Sequence, residues 1–269
     1  MASYPTLSLI NVTKSYGVAR AVQGVSLTVE PGEFVVLLGP SGAGKSTIFK
    51  CISQLVRPDV GEVKLHSTTL NNLKGHALRV QRQKIGLIFQ QFNLVSRLSA
   101  LQNVLLGRLG QMPTWKANLG LFDRNDRQLA LKALDRVGLL DKAYQRADTL
   151  SGGQQQRVAI ARVMTQQSEL IIADEPVASL DPSTSRQVLS RLKEVAAESR
   201  MAILCSLHQT DLALEFADRI IAIKGGRISL NRRVGEISAA EIDEIYVKEL
   251  IVDEPVCNVL RLMSAKLGT

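Results

Sequence analysis

Aromatic residues and long apolar runs are both scarce in this chain. Only 4% of its 269 residues are Phe, Trp or Tyr, and Trp occurs once. The longest stretch without a charged residue, Ile85 to Ser96, has 12 residues, whereas a membrane-spanning helix needs about 20 apolar ones. The first residues lack the basic region and apolar run of a secretory signal. We therefore expect no membrane-spanning segment and a protein that stays in the cytoplasm.

Cysteine is also rare, and its spacing excludes a metal site made of cysteines. The three cysteines, Cys51, Cys205 and Cys257, lie far apart in apolar surroundings. In a reducing compartment such residues are typically buried free thiols. We predict this state for all three.

The chain has excess positive charge without the pattern of a nucleic-acid-binding protein. Its formal net charge is +8 at pH 7, but the basic residues are scattered and form no dense run. A cationic surface beside an anionic membrane or an acidic partner explains the excess equally well. We therefore expect no binding to nucleic acid.

A phosphate-binding loop follows the first continuously apolar segment. Phe34 to Leu38 has the composition of a central parallel strand covered on both faces, and apolar residues recur at helical spacing from Ile48 until Pro58. The loop between them fits G-x-x-x-x-G-K-[ST] and consists of Gly39, Pro40, Ser41, Gly42, Ala43, Gly44, Lys45 and Ser46. In this motif backbone N–H groups surround the phosphates, the lysine reaches the β and γ oxygens, and the hydroxyl binds Mg²⁺.

A second glycine-rich segment lies more than a hundred residues later. Ser151 is followed by Gly152, Gly153 and Gln154, which predicts a helix start with free N–H groups at its positive dipole end. Such a start also suits an anion. Because one nucleotide needs only one phosphate cradle, the second segment requires its own explanation.

Ionisable side chains follow two further apolar segments. Leu170 to Ala173 ends in Asp174 and Glu175, and Ala202 to Leu207 ends in His208. Parallel α/β sheets bind ligands at the carboxyl ends of their strands, and hydrolysis of a γ-phosphate demands mainly positioning and charge neutralisation. Asp174 is therefore a candidate Mg²⁺ ligand, Glu175 a candidate to polarise the attacking water, and His208 a candidate contact of the γ-phosphate. Taken alone, a histidine after a strand is more often a surface or core residue.

Together these motifs resemble the ATP-binding subunits of ABC transporters, over residues 7–232. Further family elements occur in the same order: Tyr16 as the aromatic residue that stacks on adenine, Gln90 of the Q-loop, Ser179-Leu180-Asp181 as the D-loop, and His208 as the switch histidine. The resemblance implies ATP and Mg²⁺ as cofactors and adds Thr47 to the ATP contacts.

The resemblance also implies the division of roles at the site. The expected catalytic residues are Lys45, Gln90, Glu175 and His208, and the expected Mg²⁺ ligands are Ser46, Gln90 and Asp174. In this family two subunits close head to tail, so that the signature segment of one chain completes the γ-phosphate site of the other. Ser151, Gly152, Gly153, Gln154 and Asp181 are therefore assigned to the ATP held by a second copy of the chain.

The fold that the resemblance implies is α/β: a P-loop NTPase (RecA-like) core with a parallel central sheet, an N-terminal antiparallel β subdomain and a helical insertion subdomain. The ATP-binding core is assigned to residues 1–94 and 153–235, and the helical subdomain with the signature segment to residues 95–152. A helical tail is assigned to residues 236–269, where Ser238 and Glu241 have the spacing of a capping box. Apolar residues at helical spacing between Val256 and Leu267 also predict a short amphipathic helix there.

The Q-loop region, Ile85 to Leu98, is the implied contact with a permease in the membrane. In the family, the cleft at this loop receives the coupling helices of the permease. The protein would then lie peripherally on the cytoplasmic face of the cell membrane. The alternative for Phe89, Phe92 and Leu94 is packing in the core, and both interpretations can hold for different residues.

Several stretches resemble the phosphonate-import ATPases more specifically than the general ABC motifs do. They are residues 107–110, 113–115, 119–122, 142–148 and 175–182. The expected function is ATP hydrolysis that energises phosphonate import, with a substrate-binding protein as an indirect partner. A related importer, for polar amino acids or another oxyanion, is the main alternative.

Two other classes of ABC protein fit the sequence less well. Soluble members that act on ribosomes or DNA usually have two cassettes or a long coiled coil, and the chain has neither an internal repeat nor extended heptads. A module that does not hydrolyse ATP is disfavoured by the presence of Gln90, Glu175 and His208.

Overall fold

A computed structural model describes residues 4–89, 91–238 and 240–242 of the chain. Within these residues, strands and helices alternate as expected of an α/β protein. The strands are β1 (Leu7–Tyr16), β2 (Ala19–Val29), β3 (Phe34–Leu38), β4 (Val60–Leu65), β5 (Thr68–Thr69), β6 (Ile85–Phe89), β7 (Leu170–Asp174), β8 (Ala202–Ser206), β9 (Arg219–Lys224) and β10 (Arg227–Arg233).

The helices lie mostly between β6 and β7 and after β7. The α-helices are α1 (Lys45–Ile52), α2 (Gly75–Gln83), α3 (Ala100–Leu105), α4 (Thr114–Asn118), α5 (Arg124–Arg136), α6 (Gly152–Gln166), α7 (Pro182–Ser199) and α8 (Thr210–Phe216). Short 3-10 helices cover Leu106–Gln111, Leu140–Lys142, Ala147–Thr149 and Val234–Glu236.

A six-stranded sheet in the order β10-β9-β3-β8-β7-β6 forms the centre of the molecule. Its strands are parallel except β10, which closes the sheet as an antiparallel hairpin with β9. Every residue of β3 and β8 is buried, as expected of strands covered on both faces. Because β8 lies between β3 and β7, the residues that follow these three strands meet at one edge of the sheet.

Alternation along β3 divides the core into two layers. Phe34, Val36 and Leu38 face a cluster built with the helices, whereas Val35 and Leu37 face a cluster shared with the smaller sheet. That smaller sheet has the order β2-β1-β4-β5 and is antiparallel throughout. The predicted fold class, with its parallel core, antiparallel subdomain and helical insertion, is confirmed.

The structure also shows elements that the sequence did not predict. Ile85–Phe89, read above as part of the coupling region, is the edge strand β6, and Phe89 lies opposite Asp174 of β7. Helix α2 has no buried residue, and the sequence analysis did not predict it.

Several smaller predictions concern cysteines and the tail. Cys51 and Cys205 are buried free thiols, and burial raises the pKa of Cys51 to about 11. Ser238 and Glu241 form the predicted capping pair, in which the backbone N–H of each donates to the side chain of the other. Cys257 and the predicted amphipathic helix between Val256 and Leu267 lie outside the described residues.

Candidate functional site

The glycine-rich loop after β3 closes around the side chain of Lys45. Its Nζ donates hydrogen bonds to the carbonyl oxygens of Gly39 at 2.5 Å and Pro40 at 3.0 Å, and only 6% of the residue is exposed. The amine is therefore held across the mouth of the loop, where the motif requires it to meet phosphate oxygens. Ser46, the next residue, is exposed on the first turn of α1.

Glycine at position 44 is required by both backbone conformation and space. Gly44 has φ of 108° and is the N-cap residue of α1, and an added Cβ would lie 2.3 Å from the carbonyl oxygen of Ala21 in β2. Gly42 differs, since its Cβ position has nothing within 4 Å. The loop is thus fixed against the smaller sheet at one end and open where a phosphate would enter.

A buried serine joins the two acidic residues that follow β7. The hydroxyl of Ser206 donates to Oδ1 of Asp174 at 2.7 Å and accepts from the backbone N–H of Glu175 at 2.9 Å. Glu175 has φ of 49°, so the chain turns sharply just after the strand. Such a backbone conformation is costly for a residue other than glycine. The hydrogen bond that the N–H of Glu175 donates to Ser206 helps to stabilise this conformation.

Sequence reasoning missed Ser206. The sequence offered one signal for it, because Ser206 is the one hydroxyl-bearing residue in the apolar segment Ala202–Leu207, which contains β8. A fully buried hydroxyl must find a partner, and the register of β7 and β8 pairs Ser206 directly with Asp174. Strand order, which the sequence does not specify, was needed to identify that partner.

Glu175 and His208 are brought together at the same edge of the sheet. Nε2 of His208 lies 2.5 Å from Oε1 of Glu175, and both residues line a small cavity of about 160 Å³ with Val177 and Leu207. A carboxylate bonded to an imidazole in this position can accept a proton from a water molecule while the imidazole orients the pair. The sequence assigned separate roles to these two residues and did not predict the contact between their side chains.

Tyr16 stands at the end of β1 with 47% of its surface exposed. Asp59 fixes this end of the strand by accepting from Nζ of Lys14 at 2.6 Å and from the backbone N–H of Ser15 at 2.7 Å. Nζ of Lys14 also lies 5.7 Å from the centre of the Tyr16 ring. The aromatic face is thus held outside the fold, where it is available for stacking.

The second glycine-rich segment forms the start of α6. Ser151 is the N-cap residue of this helix, whose start the sequence predicted, and it also forms a capping box with Gln154. Gly153 is tied to packing within the chain, because an added Cβ would lie 2.3 Å from Cγ2 of Thr184 on α7. Asp181 is the N-cap residue of α7 and accepts from the backbone N–H groups of Ser183 and Thr184.

The structure brings together some predicted site residues and keeps others apart. One edge of the sheet, formed by the ends of β3, β8 and β7, carries most of the predicted site residues. They are the phosphate loop with Thr47 at its end, Asp174, Glu175 and His208. The segment Ser151–Gln154 belongs instead to α6, which packs against α3, α5, α7 and β6. Gln90 lies outside the described residues, directly after Phe89 of β6.

Comparison with known proteins identifies the family. The ABC transporter family pattern matches residues 22–178, which is more than half of the chain. The chain belongs to the ABC transporter family. The matched range of this ABC protein includes the phosphate loop, the signature segment at Ser151 and the acidic pair Asp174 and Glu175.

Relatives of this ABC protein are similar over almost its whole length. It is 48% identical over 241 residues to the Phosphonates import ATP-binding protein PhnC of Lactobacillus johnsonii, which covers 89% of this chain and 95% of that protein. It is 47% identical over 240 residues to the Hypophosphite import ATP-binding protein HtxD of Stutzerimonas stutzeri, covering 89% of this chain and 70% of that protein.

A solved structure gives the same result for the fold of the ABC protein. The ATP-binding cassette MJ0796, in a dimeric post-hydrolysis state bound to ADP and Pi, is 36% identical and has a TM-score of 0.74. The match covers 85% of this chain and 98% of MJ0796. Within the residues described here, no helix combines the length and apolar character needed to cross a bilayer.

Proposed function

We propose that this protein hydrolyses ATP to drive import of phosphonates through a permease in the membrane. The observation that carries the proposal is the pair Glu175 and His208, whose side chains meet 2.5 Å apart at the sheet edge that also bears the phosphate loop. The phosphate loop accounts for nucleotide binding, and the Glu175–His208 pair accounts for activation of a water molecule.

The residues around the loop fit ATP with Mg²⁺. Lys45 and the loop N–H groups would hold the β and γ phosphates, and the exposed face of Tyr16 would stack on adenine. Across the described ranges, no three His, Cys, Asp or Glu side chains gather into a metal site. This suits Mg²⁺, which is commonly bound by one or two protein oxygens together with phosphate oxygens. Ser46, Asp174 and Gln90 are the proposed protein ligands, and the ion would neutralise charge on the phosphates.

The position of the signature segment supports a head-to-tail dimer. Ser151 caps α6, on the helical side of the molecule, while the phosphate loop is fixed against β2 and β9 by Gly44 and Gly39. A second copy would therefore supply Ser151, Gly152, Gly153, Gln154 and Asp181 to the ATP bound by the first. The single interface of such a twofold dimer would contain two composite ATP sites related by the symmetry axis.

A groove beside the Q-loop supports docking of the permease. The groove, here called the α2 groove, lies between α2 and the 3-10 helix Leu106–Gln111 and has a volume of about 750 Å³. Phe89, the last residue before Gln90, contributes to its lining. Movement of a permease segment in this groove would be transmitted to the nucleotide site through β6, because Phe89 of β6 lies opposite Asp174 of β7. The protein would then lie on the cytoplasmic face of the membrane without entering it.

The similarity to PhnC and HtxD supports a phosphorus oxyanion as the transported class. Phosphonates are proposed because of the extended similarity to PhnC. Hypophosphite is the second candidate, favoured by the comparable identity to HtxD. A substrate-binding protein outside the membrane would choose between them before this subunit acts.

The test is uptake by the reconstituted transporter. The chain is purified with its cognate permease and substrate-binding protein and placed in vesicles loaded with ATP. Uptake of radiolabelled methylphosphonate that stops with Glu175→Gln supports the proposal. Uptake of hypophosphite alone would replace the substrate assignment, and hydrolysis without uptake of either compound would contradict it.

A further inference from the structure

The positive charge of the chain is concentrated in one segment. Residues 63–122 contain eight Lys and Arg and no Asp or Glu, which equals the net charge of +8 of the whole chain. The remainder of the sequence therefore contains equal numbers of positively and negatively charged residues. This segment includes α2, β6 and the 3-10 helix Leu106–Gln111, which contribute most of the α2 groove, and two of its eight cations, Arg79 and Arg82, line that groove.

Among the residues that the structure describes, three arginines line the α2 groove and no acidic residue does. They are Arg79 and Arg82 of α2 and Arg162 of α6. In the described part of the chain, none of the ion pairs includes any of the three. Other cations of the segment do have carboxylate partners, for example Lys84 with Glu169 and Arg108 with Asp126.

Two of these arginines are positioned by backbone carbonyl groups instead. Nη1 and Nη2 of Arg162 donate to the carbonyl oxygens of Asn93 at 2.6 Å and Phe92 at 3.2 Å. Nε and Nη2 of Arg82 donate to those of Ser53 at 3.1 Å and Gln54 at 2.6 Å. These contacts fix each guanidinium group without neutralising it, and each group has five N–H donors in all. Burial lowers the pKa of Arg162, yet an arginine keeps its charge.

The groove is apolar between the arginines. Leu78, Leu87 and Phe89 contribute to its lining. A concave apolar surface with charged groups fits a helical segment that has one apolar face and carboxylates beside it. A lipid surface is flat on this scale and would not fill such a groove, so the shape favours a protein partner over a membrane.

We propose that the α2 groove selects its partner by charge, and that the segment it receives carries carboxylates that pair with Arg79 and Arg162. The inference rests on the proposed function, in which this groove receives the permease. A planar guanidinium group binds a carboxylate through two parallel hydrogen bonds, which gives direction as well as attraction. This ion pairing would also act on the Q-loop region, because Arg162 donates hydrogen bonds to the carbonyl oxygens of Phe92 and Asn93.

The test uses helical peptides as probes of the full-length protein. Three fluorescent, end-blocked peptides share one apolar face and differ only at two positions, which are both Glu, both Gln or both Lys. We expect the Glu peptide to bind about tenfold more tightly than the Gln peptide and the Lys peptide to bind most weakly. Arg79→Glu should reverse this order. Arg127→Glu is the matched control, because it makes the same charge change at an exposed residue of α5 that lies outside both the groove and the Q-loop region.

The outcomes separate the inference from its alternatives. Equal affinity for the three peptides, or equal effects of Arg79→Glu and Arg127→Glu, would overturn it. Vesicles with 30% phosphatidylglycerol test the membrane alternative. Binding to them that both variants weaken equally, and that the Glu peptide does not displace, would assign the charge to lipid and also overturn the proposal. ATP hydrolysis by the same wild-type preparation is measured in parallel, so that failure of the proposed function is recognised independently.

Discussion

The hydroxyl of Ser206 donates a 2.7 Å hydrogen bond to Oδ1 of Asp174, and Oγ of Ser206 accepts a 2.9 Å hydrogen bond from the backbone N–H of Glu175. One buried side chain of β8 thus positions a proposed Mg²⁺ ligand and a proposed catalytic residue of β7. Because Ser206 is completely buried, no water can replace it without a change in packing.

Ser206→Ala should therefore slow ATP hydrolysis. Leaving a buried N–H group without its partner costs about 1 to 3 kcal/mol, and one hydrogen bond to Asp174 is lost as well. We expect turnover at saturating ATP to fall about tenfold, measured as phosphate release. Ser168→Ala is the control, since Ser168, in the loop before β7, is also buried but donates to the carbonyl oxygen of Val163 in α6. Equal effects of the two substitutions on turnover would contradict the positioning role.

Ser206 illustrates which parts of the site could be predicted from sequence. The motif residues of the phosphate loop, Asp174, Glu175 and His208 were recognisable because each follows a continuously apolar strand. The partner of Ser206 was not, because a contact between adjacent strands depends on strand order and register. Arg79 and Arg162 of the α2 groove were missed for the same reason, as they come from distant parts of the sequence.

The secondary structure likewise contains elements that could be predicted from the sequence and elements that could not. Strands β3, β7 and β8 are short apolar runs bounded by charged or glycine residues, so periodicity and composition were enough to find them. Strand β6 has the same character, but its position before Gln90 led to a functional interpretation instead. Helix α2 has no buried residue, and its nine residues include only three apolar ones, Ala77, Leu78 and Val80, which is too short a pattern to establish a helical period.

Glu175→Gln should separate binding of ATP from its hydrolysis. The amide preserves size but cannot accept a proton from water, and general-base catalysis typically contributes a factor of about 10² to 10⁴. We expect phosphate release to fall at least a hundredfold, ATP affinity to be retained, and a dimer to accumulate with ATP in size-exclusion chromatography. Glu215→Gln is the control, because Glu215 pairs with Arg186 on the surface. Normal hydrolysis by Glu175→Gln would exclude this residue as the base.

The cap of α7 should make stability depend on acid pH. Hydrogen bonds from Thr184 and Ser183 hold the pKa of the Asp181 carboxyl well below its usual range. A lowered pKa in the folded state means that the stabilisation is present above the unfolded value of about 3.9 and is lost as pH falls below it. We expect the melting temperature of the wild type to decrease more than that of Asp181→Asn between pH 6 and pH 3, because asparagine caps a helix without titrating there. Asp135→Asn, at an exposed position of α5, should follow the wild type, and parallel curves for all three proteins would refute the role of this cap.

Mixing two inactive chains tests whether the phosphate loop and the signature segment act on the same ATP from different chains. Lys45→Ala should weaken ATP binding, which equilibrium titration measures, and Ser151→Arg should block the signature segment, so neither chain alone should hydrolyse ATP. In an equal mixture, half of the dimers contain both chains, and each of these has one site with an intact loop facing an intact signature segment. Activity should then recover to about a quarter of the wild-type value.

A mixture of Lys45→Ala with Ser46→Ala is the matched control for that experiment. Both substitutions lie in the phosphate loop, so their mixed dimers contain no intact site and should stay inactive. Recovery in the first mixture only would place Ser151 against the ATP of the second chain. If neither mixture recovers although both variants fold, the head-to-tail arrangement is wrong, and the signature segment must serve the chain that carries it.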